Sequence, residues 1–161
     1  MYESICIAFG AVHCVTLEYN ELRFDHPRAH TFTVEEWARH AKLGTPCEWP
    51  REDDVPSSMR DHGAPYNCQF DAIWSISSLE HDGLGRYGDP ISPNADLAAM
   101  AKLKDFLAPS GLMYLAVPAG EDAIYWNTGR VYGPKRLSML IEGWDCLGAF
   151  GLPIEAAIAP N

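Results

Sequence analysis

Two strand-like runs with one amphipathic helix between them constrain this chain more than any other feature. "QFDAIWSIS" mixes aromatic, β-branched and small residues and reads as a strand. "LMYLAVP" is apolar throughout, which predicts a strand buried on both faces. Between them, Leu97, Met100, Leu103, Phe106 and Leu107 make the apolar stripe of a helix. Ser92-Pro93 suits its cap and first turn, and "APSG" its end. Strand, helix and strand in this order form a parallel crossover unit.

The flanking segments continue the alternation. "YESICIAFGA" predicts a short helix with Ile5, Ala8 and Phe9 on one face and Gly10 as its stop. "VHCVTLEY" predicts a buried parallel strand and "HTFTV" a second strand. Thr33-Val34-Glu35-Glu36 has the form of a capping box, opening a helix through Trp37 and Ala41. Gly133-Pro134 opens another helix, with Leu137, Leu140 and Ile141 on one side, and "DCLGAF" reads as a last strand. The fold class is therefore α/β with a mostly parallel sheet, in one domain. From Gly44 to Cys68, Pro46, Pro50, Pro56, Gly63 and Pro65 break the pattern, which marks a long loop or insertion.

Charge narrows the partners. Twelve Lys and Arg against 22 Asp and Glu leave a formal net charge of −10. Such a surface repels phosphate backbones and anionic membranes, so neither nucleic acid nor membrane is expected as a partner. The apolar run "ICIAFGAV" is too short to span a bilayer and has no basic segment before it. Cys6, Cys14, Cys47, Cys68 and Cys146 are odd in number and scattered, which suits reduced thiols in the cytoplasm; a Cys47–Cys68 bridge is the alternative.

Gly83, Gly85 and Gly88 in "LEHDGLGRYGDP" have the G-x-G-x-x-G spacing of a dinucleotide-binding turn. That turn requires a helix starting inside the motif, with its amides facing a pyrophosphate. Here Ser77 to Asp82 separate strand from glycines, and Pro90 disfavours helical geometry at Asp89. The fingerprint is rejected. A long polar loop at the carboxyl end of a strand remains, the usual place for a ligand in an α/β sheet. It carries Glu80, His81, Asp82, Arg86, Tyr87 and Asp89. The alternative is a loop held by its own ion pairs, Arg86 with Asp82 or Asp89.

"FDAIWSISSLEHDGLGRYGDP" and "DLAAMAKLKDFLAPSGLMYLAVPAGEDAIYWNTGRVYGPKRLSMLIEGW" resemble the family known as domain of unknown function 268. That family is similar to the class I S-adenosylmethionine (SAM) methyltransferases. The resemblance is strongest from Phe70 to Trp144 and implies a Rossmann-like sheet of the class I type. It implies SAM as cofactor, with Glu18 on the ribose hydroxyls, Val34 and Glu35 beside the adenine, and Ser75, Ser77 and Glu80 near the methionine part. His81 becomes the candidate base, because methyl transfer to a hydroxyl needs a proton removed near neutrality. The alternative for His81 is a bond to a backbone carbonyl. Arg86, Tyr87 and Asp89 would face a small polar acceptor such as a sugar. Trp126, Asn127, Arg130 and Tyr132 would form a second wall, although the two aromatics suit a core equally well.

The class I pattern begins with a strand and a glycine-rich loop, and this chain begins at what resembles the following helix. The expectation is a truncated or reduced domain lacking the first strand. Either an enzyme transferring methyl groups to a small polar acceptor or a non-catalytic Rossmann-like domain is consistent with that. His26 and His30 are four apart but flank Pro27, and His13 and Cys14 face opposite ways on a strand, so no metal site is expected. There is no G-x-S-x-G elbow to support a serine hydrolase.

Overall fold

The structure is a computed structural model that describes residues 2–20, 22–34, 37 and 69–151. The backbone divides into two compact units, residues 1–68 and 69–161. Glu35, the Gly44–Cys68 loop and residues 152–161 lie outside the described residues.

In the first unit, α1 (Tyr2–Ala8) leads into β1 (Cys14–Glu18), which pairs in parallel with β2 (Ala29–Thr33). Gly10 ends α1 with a φ of +99°, a conformation glycine adopts without steric cost. Cys14 stands opposite Ala29 and Glu18 opposite Thr33, so the parallel pairing expected from sequence is present. Two expectations differ. Phe9 is 90% exposed and Ile5 is exposed, so the apolar face of α1 is not buried. The strand β1 is half-buried at best, with Leu17 and Glu18 exposed. Val34 and Trp37 are helical, as the capping pattern suggests, and Trp37 is buried.

The second unit holds the crossover. Strand β3 (Phe70–Ile76) pairs in parallel with β4 (Leu107–Ala116), and α2 (Ala95–Leu103) lies between them in sequence. A 3₁₀ turn over Lys104–Phe106 separates α2 from β4. The hairpin β5 (Ala123–Tyr125) and β6 (Gly129–Val131) is antiparallel, and α3 (Pro134–Leu140) follows it. Leu79, Met100, Tyr132 and Leu140 are the buried centre, with Leu97, Leu103, Met113, Leu115, Val117, Leu137 and Trp144 packed around them.

Four corrections follow from this packing. β4 is not buried on both faces: Met113, Leu115 and Val117 face the core, whereas Leu112 and Tyr114 are exposed. Both α2 and α3 contribute their apolar stripes to that one core, which leaves the other face open. There Trp74 stacks on Tyr114 with ring centroids 4.3 Å apart. The start of α2 is Ala95, because Asn94 rather than Ser92 occupies the cap position. "APSG" belongs to β4 as an irregularity, with Ser110 at a φ of +69° and the register shifting between Phe70 and Ala72. "DCLGAF" forms no strand. The architecture is thus α/β with short parallel pairs.

The hairpin was not expected. Its turn uses Asn127 at a φ of +52°, a position where asparagine is tolerated, followed by Gly129. The first turn of α3 was also incompletely anticipated. Asp122 accepts the amides of Gly133 (2.8 Å), Arg136 (3.0 Å) and Lys135 (3.1 Å), which would otherwise lack partners. Desolvation raises the Asp122 carboxyl slightly, but these amides prevail and hold it below the usual range.

Candidate functional site

The carboxyl end of β3 runs into a tight and heavily bonded loop. Ser77 has a φ of +51°, and its hydroxyl donates to Glu80 Oε1. Leu79–His81 then form a 3₁₀ turn whose first two residues are buried. Gly83, Gly85 and Gly88 all have positive φ, from +72° to +84°, so the glycine spacing serves a winding loop. A Cβ on Gly83 would come within 2.2 Å of Ser92 O.

The winding is organised around one carboxylate. Asp89 Oδ2 accepts the amides of Gly83 (2.7 Å) and Gly85 (3.3 Å), and Oδ1 accepts that of Tyr87 (3.2 Å). Burial pulls this carboxyl upward, yet the backbone amides outweigh it and hold the group below the ordinary carboxylate range. Both oxygens are therefore engaged inside the loop.

Arg130 secures the same loop from β6. It is 1% exposed. Its Nη1 donates to Asp82 O at 2.6 Å and Glu80 O at 3.3 Å, and Nη2 donates to Pro93 O at 3.2 Å and Ser92 O at 3.5 Å. Its Nε lies 3.7 Å from Asp96 Oδ2. Asp96, fully buried, also receives the Tyr132 hydroxyl at 3.1 Å and a two-pronged contact from Arg136 at 2.5 and 3.1 Å. Burial first, and then the Asp96 charge, push the Tyr132 phenol well above its ordinary value. A buried carboxylate between two guanidinium groups is satisfied only as a set. Asp96 reads in sequence as an ordinary acid in the first turn of a helix, so this hub was missed.

His81 stands differently. Its Nδ1 lies 2.5 Å from Thr128 O in the hairpin turn, and a carbonyl can only accept. Nδ1 therefore carries the proton, and in the neutral ring Nε2 keeps its lone pair. Nε2 is 3.6 Å from Glu80 Oε1, too long for a hydrogen bond. Gly129 makes this approach possible: a Cβ there would lie 3.3 Å from His81 Nδ1 and 3.4 Å from Glu80 Cγ. Arg86 also donates to Thr128 O, at 3.3 Å, and stacks over Tyr87, whose ring meets His81 edge-on. Arg86 thus binds a carbonyl, and neither Asp82 nor Asp89 is its partner in these contacts.

The residues singled out in sequence separate accordingly. His81, Glu80, Ser77, Arg86 and Tyr87 come together at the end of β3. Ser75, in β3 two residues before Ser77, is buried with a hydroxyl that has no hydrogen-bond partner, and Glu80 Oε2 is orphaned in the same way. Asp89 and Arg130 are internal fasteners. Trp126 is 70% exposed and Asn127 sits in the hairpin turn. Tyr132 is core. Glu18 ends β1 in the first unit and is exposed; Val34 is exposed too, and Glu35 is outside the described residues. No group of three or more His, Cys, Asp or Glu suited to a metal occurs among the described residues. Cys6, Cys14 and Cys146 are free thiols. No helix among the described residues is long and apolar enough to cross a membrane.

An α/β unit with a built polar loop at the end of a parallel strand defines the class structurally. Residues 54–159 match the family described as Caenorhabditis protein of unknown function, DUF268, and the chain belongs to that family. No curated protein and no solved structure matches it.

Proposed function

We propose that this protein is a methyltransferase-like enzyme in which His81 Nε2 takes a proton from the hydroxyl of a small polar acceptor, such as a sugar. The observation that carries the reading is the 2.5 Å contact between His81 Nδ1 and Thr128 O. It leaves the second ring nitrogen as an acceptor, the form a general base needs. Glu80, 3.6 Å from that nitrogen, would stabilise the imidazolium formed as the proton moves. Arg86 and Tyr87 flank the ring and offer a cation and an aromatic face to the acceptor.

The cofactor expected from the resemblance is SAM, which supplies an electrophilic methyl group when bound. Two buried polar atoms without partners suit its amino-acid end. The Ser75 hydroxyl can donate to a carboxylate, and Glu80 Oε2 can accept from an ammonium. Ser77 is less available because its hydroxyl is already given to Glu80.

The second reading is a non-catalytic domain, and it too has a specific support. Asp89, Ser77 and both Nη atoms of Arg130 spend their hydrogen bonds on the loop and the segment after it. Calorimetric titration of the protein with SAM separates the two. Saturable heat, weakened by Ser75→Ala, is the expected result. Absence of heat would remove the methyl-transfer reading and leave the non-catalytic one. Transfer of labelled methyl from SAM to a panel of monosaccharides, abolished by His81→Gln, then tests the base.

A further inference from the structure

The loop after β3 carries one cation that the fold leaves without a counter-charge. Arg86 is exposed, yet its guanidinium is held in two places. Nη1 donates to Thr128 O at 3.3 Å, and the guanidinium carbon lies 5.6 Å from the Tyr87 ring centroid. The same Thr128 oxygen meets His81 Nδ1, so the cation and the imidazole are anchored on one atom. Among the described residues, no carboxylate stands within ion-pair distance of Arg86. Acidic residues outnumber Lys and Arg by 22 to 12, so carboxylates are not scarce in this chain. Asp89, the nearest acid in sequence, spends both oxygens on the amides of Gly83, Gly85 and Tyr87.

We propose that Arg86 binds an oxyanion on the acceptor, a carboxylate or a phosphate, so that acidic sugars rather than neutral ones are the ligands of this site. The inference rests on the reading of His81 as the acceptor's base and adds the acceptor's charge to it. The free edge of the guanidinium is the first argument. With Nη1 given to Thr128 O, Nε and Nη2 remain, and neither makes a hydrogen bond to a described residue. These two share one side of the planar group. Their parallel N–H bonds match two oxygens of a carboxylate or phosphate, which a lysine could not do.

Preorganisation is the second argument. A long exposed side chain normally loses rotamer freedom when it grips a ligand. The Thr128 oxygen and the Tyr87 ring already restrict this one before any ligand arrives. Charge is the third. A guanidinium stays protonated throughout the range in which His81 can act as a base, so both functions are available together. The formal net charge of −10 repels an anion at long range. The contact at Arg86 must therefore supply the preference locally. A neutral sugar gains only ordinary hydrogen bonds from the guanidinium, whereas an oxyanion gains a charge-assisted pair.

The test needs no SAM. The whole chain is titrated with glucuronate and galacturonate, with the 6-phosphates of glucose and galactose, and with the two parent sugars. Calorimetry should show the acidic members binding at least about tenfold more tightly than the neutral ones. Nitrogen-15 NMR should show the Arg86 Nε–H signal moving to saturation with them. The carboxylate and phosphate arms tell which oxyanion is preferred. Arg86→Gln should bring the acidic sugars down to the level of the neutral ones, and Arg86→Lys should keep only part of the preference. A merely structural role for Arg86 would weaken all ligands alike and leave the ratio unchanged. Equal affinity for acidic and neutral sugars, no binding of any acidic member, or a ratio unchanged in Arg86→Gln would overturn the proposal. The NMR arm needs no variant, so a folding failure in either mutant leaves the test intact. Acidic preference without SAM binding would strike the methyl-transfer reading and leave the oxyanion site standing. Methylation of neutral and acidic sugars alike would do the reverse.

Discussion

Arg130 and His81 contact the same stretch of chain and use their nitrogens in opposite ways. Arg130 is buried and gives Nη1 and Nη2 to four carbonyl oxygens of the loop and the segment after it. His81 gives one nitrogen to Thr128 O and keeps the other. Both residues look like site chemistry in the sequence. What separates them is how much hydrogen-bonding capacity the fold has already used. The same contrast divides the two carboxylates nearby: both Asp89 oxygens accept loop amides, while one Glu80 oxygen has no partner.

The largest effect is expected at the residues that hold Arg130 in place. Asp96→Ala leaves Arg130 and Arg136 facing a buried site with no counter-charge, and should cost about 3–5 kcal/mol in urea unfolding. A loss near zero would mean that the two guanidinium groups do not depend on Asp96. Gly83→Ala comes next. Its Cβ would meet Ser92 O at 2.2 Å and its φ is +72°, so a loss of about 2–4 kcal/mol is expected. Gly88→Ala is the control, with a φ of +84° but open space around it, and should cost only about 1 kcal/mol. Equal losses at the two glycines would contradict the packing of the loop against Ser92.

A smaller effect is expected from pH. The Asp89 carboxyl is depressed in the folded state, so its stabilisation is present above the unfolded value of about 3.9. It is lost as pH falls through the lower folded value. The stability gap between wild type and Asp89→Asn should therefore be widest near neutrality and narrow in acid. A gap that stays constant down to the acid limit would show that the amides do not favour the charged form. Trp126→Ala should change stability least, by no more than about 0.5 kcal/mol, because the ring is largely exposed.

Much of the second unit was legible in the sequence for a physical reason. The stripe of Leu97, Met100 and Leu103 carries a helical period that survives in α2, and the runs that became β3 and β4 are rich in strand-forming residues. The hairpin strands have three residues each, too short for periodicity to register. Only "NTG" marked the turn. Arg130 and Asp96 were illegible as a pair because their meaning depends on partners distant in sequence: Arg130 reaches Asp82 O across 48 residues. In the sequence His81 reads either as a candidate base or as a carbonyl-bonded ring. The structure shows the carbonyl-bonded ring, through Nδ1 and Thr128 O. The exposure of Leu112 and Tyr114 was hidden because an apolar run says nothing about which of its faces is covered.

The contrast between His81 and Arg130 depends on the His81 tautomer, which nitrogen-15 NMR of the imidazole reads directly. At a pH where the ring is neutral, the account predicts a protonated Nδ1 and an unprotonated Nε2, with the Nδ1 proton shifted downfield by its bond to Thr128 O. A proton on Nε2 in the neutral ring would contradict it.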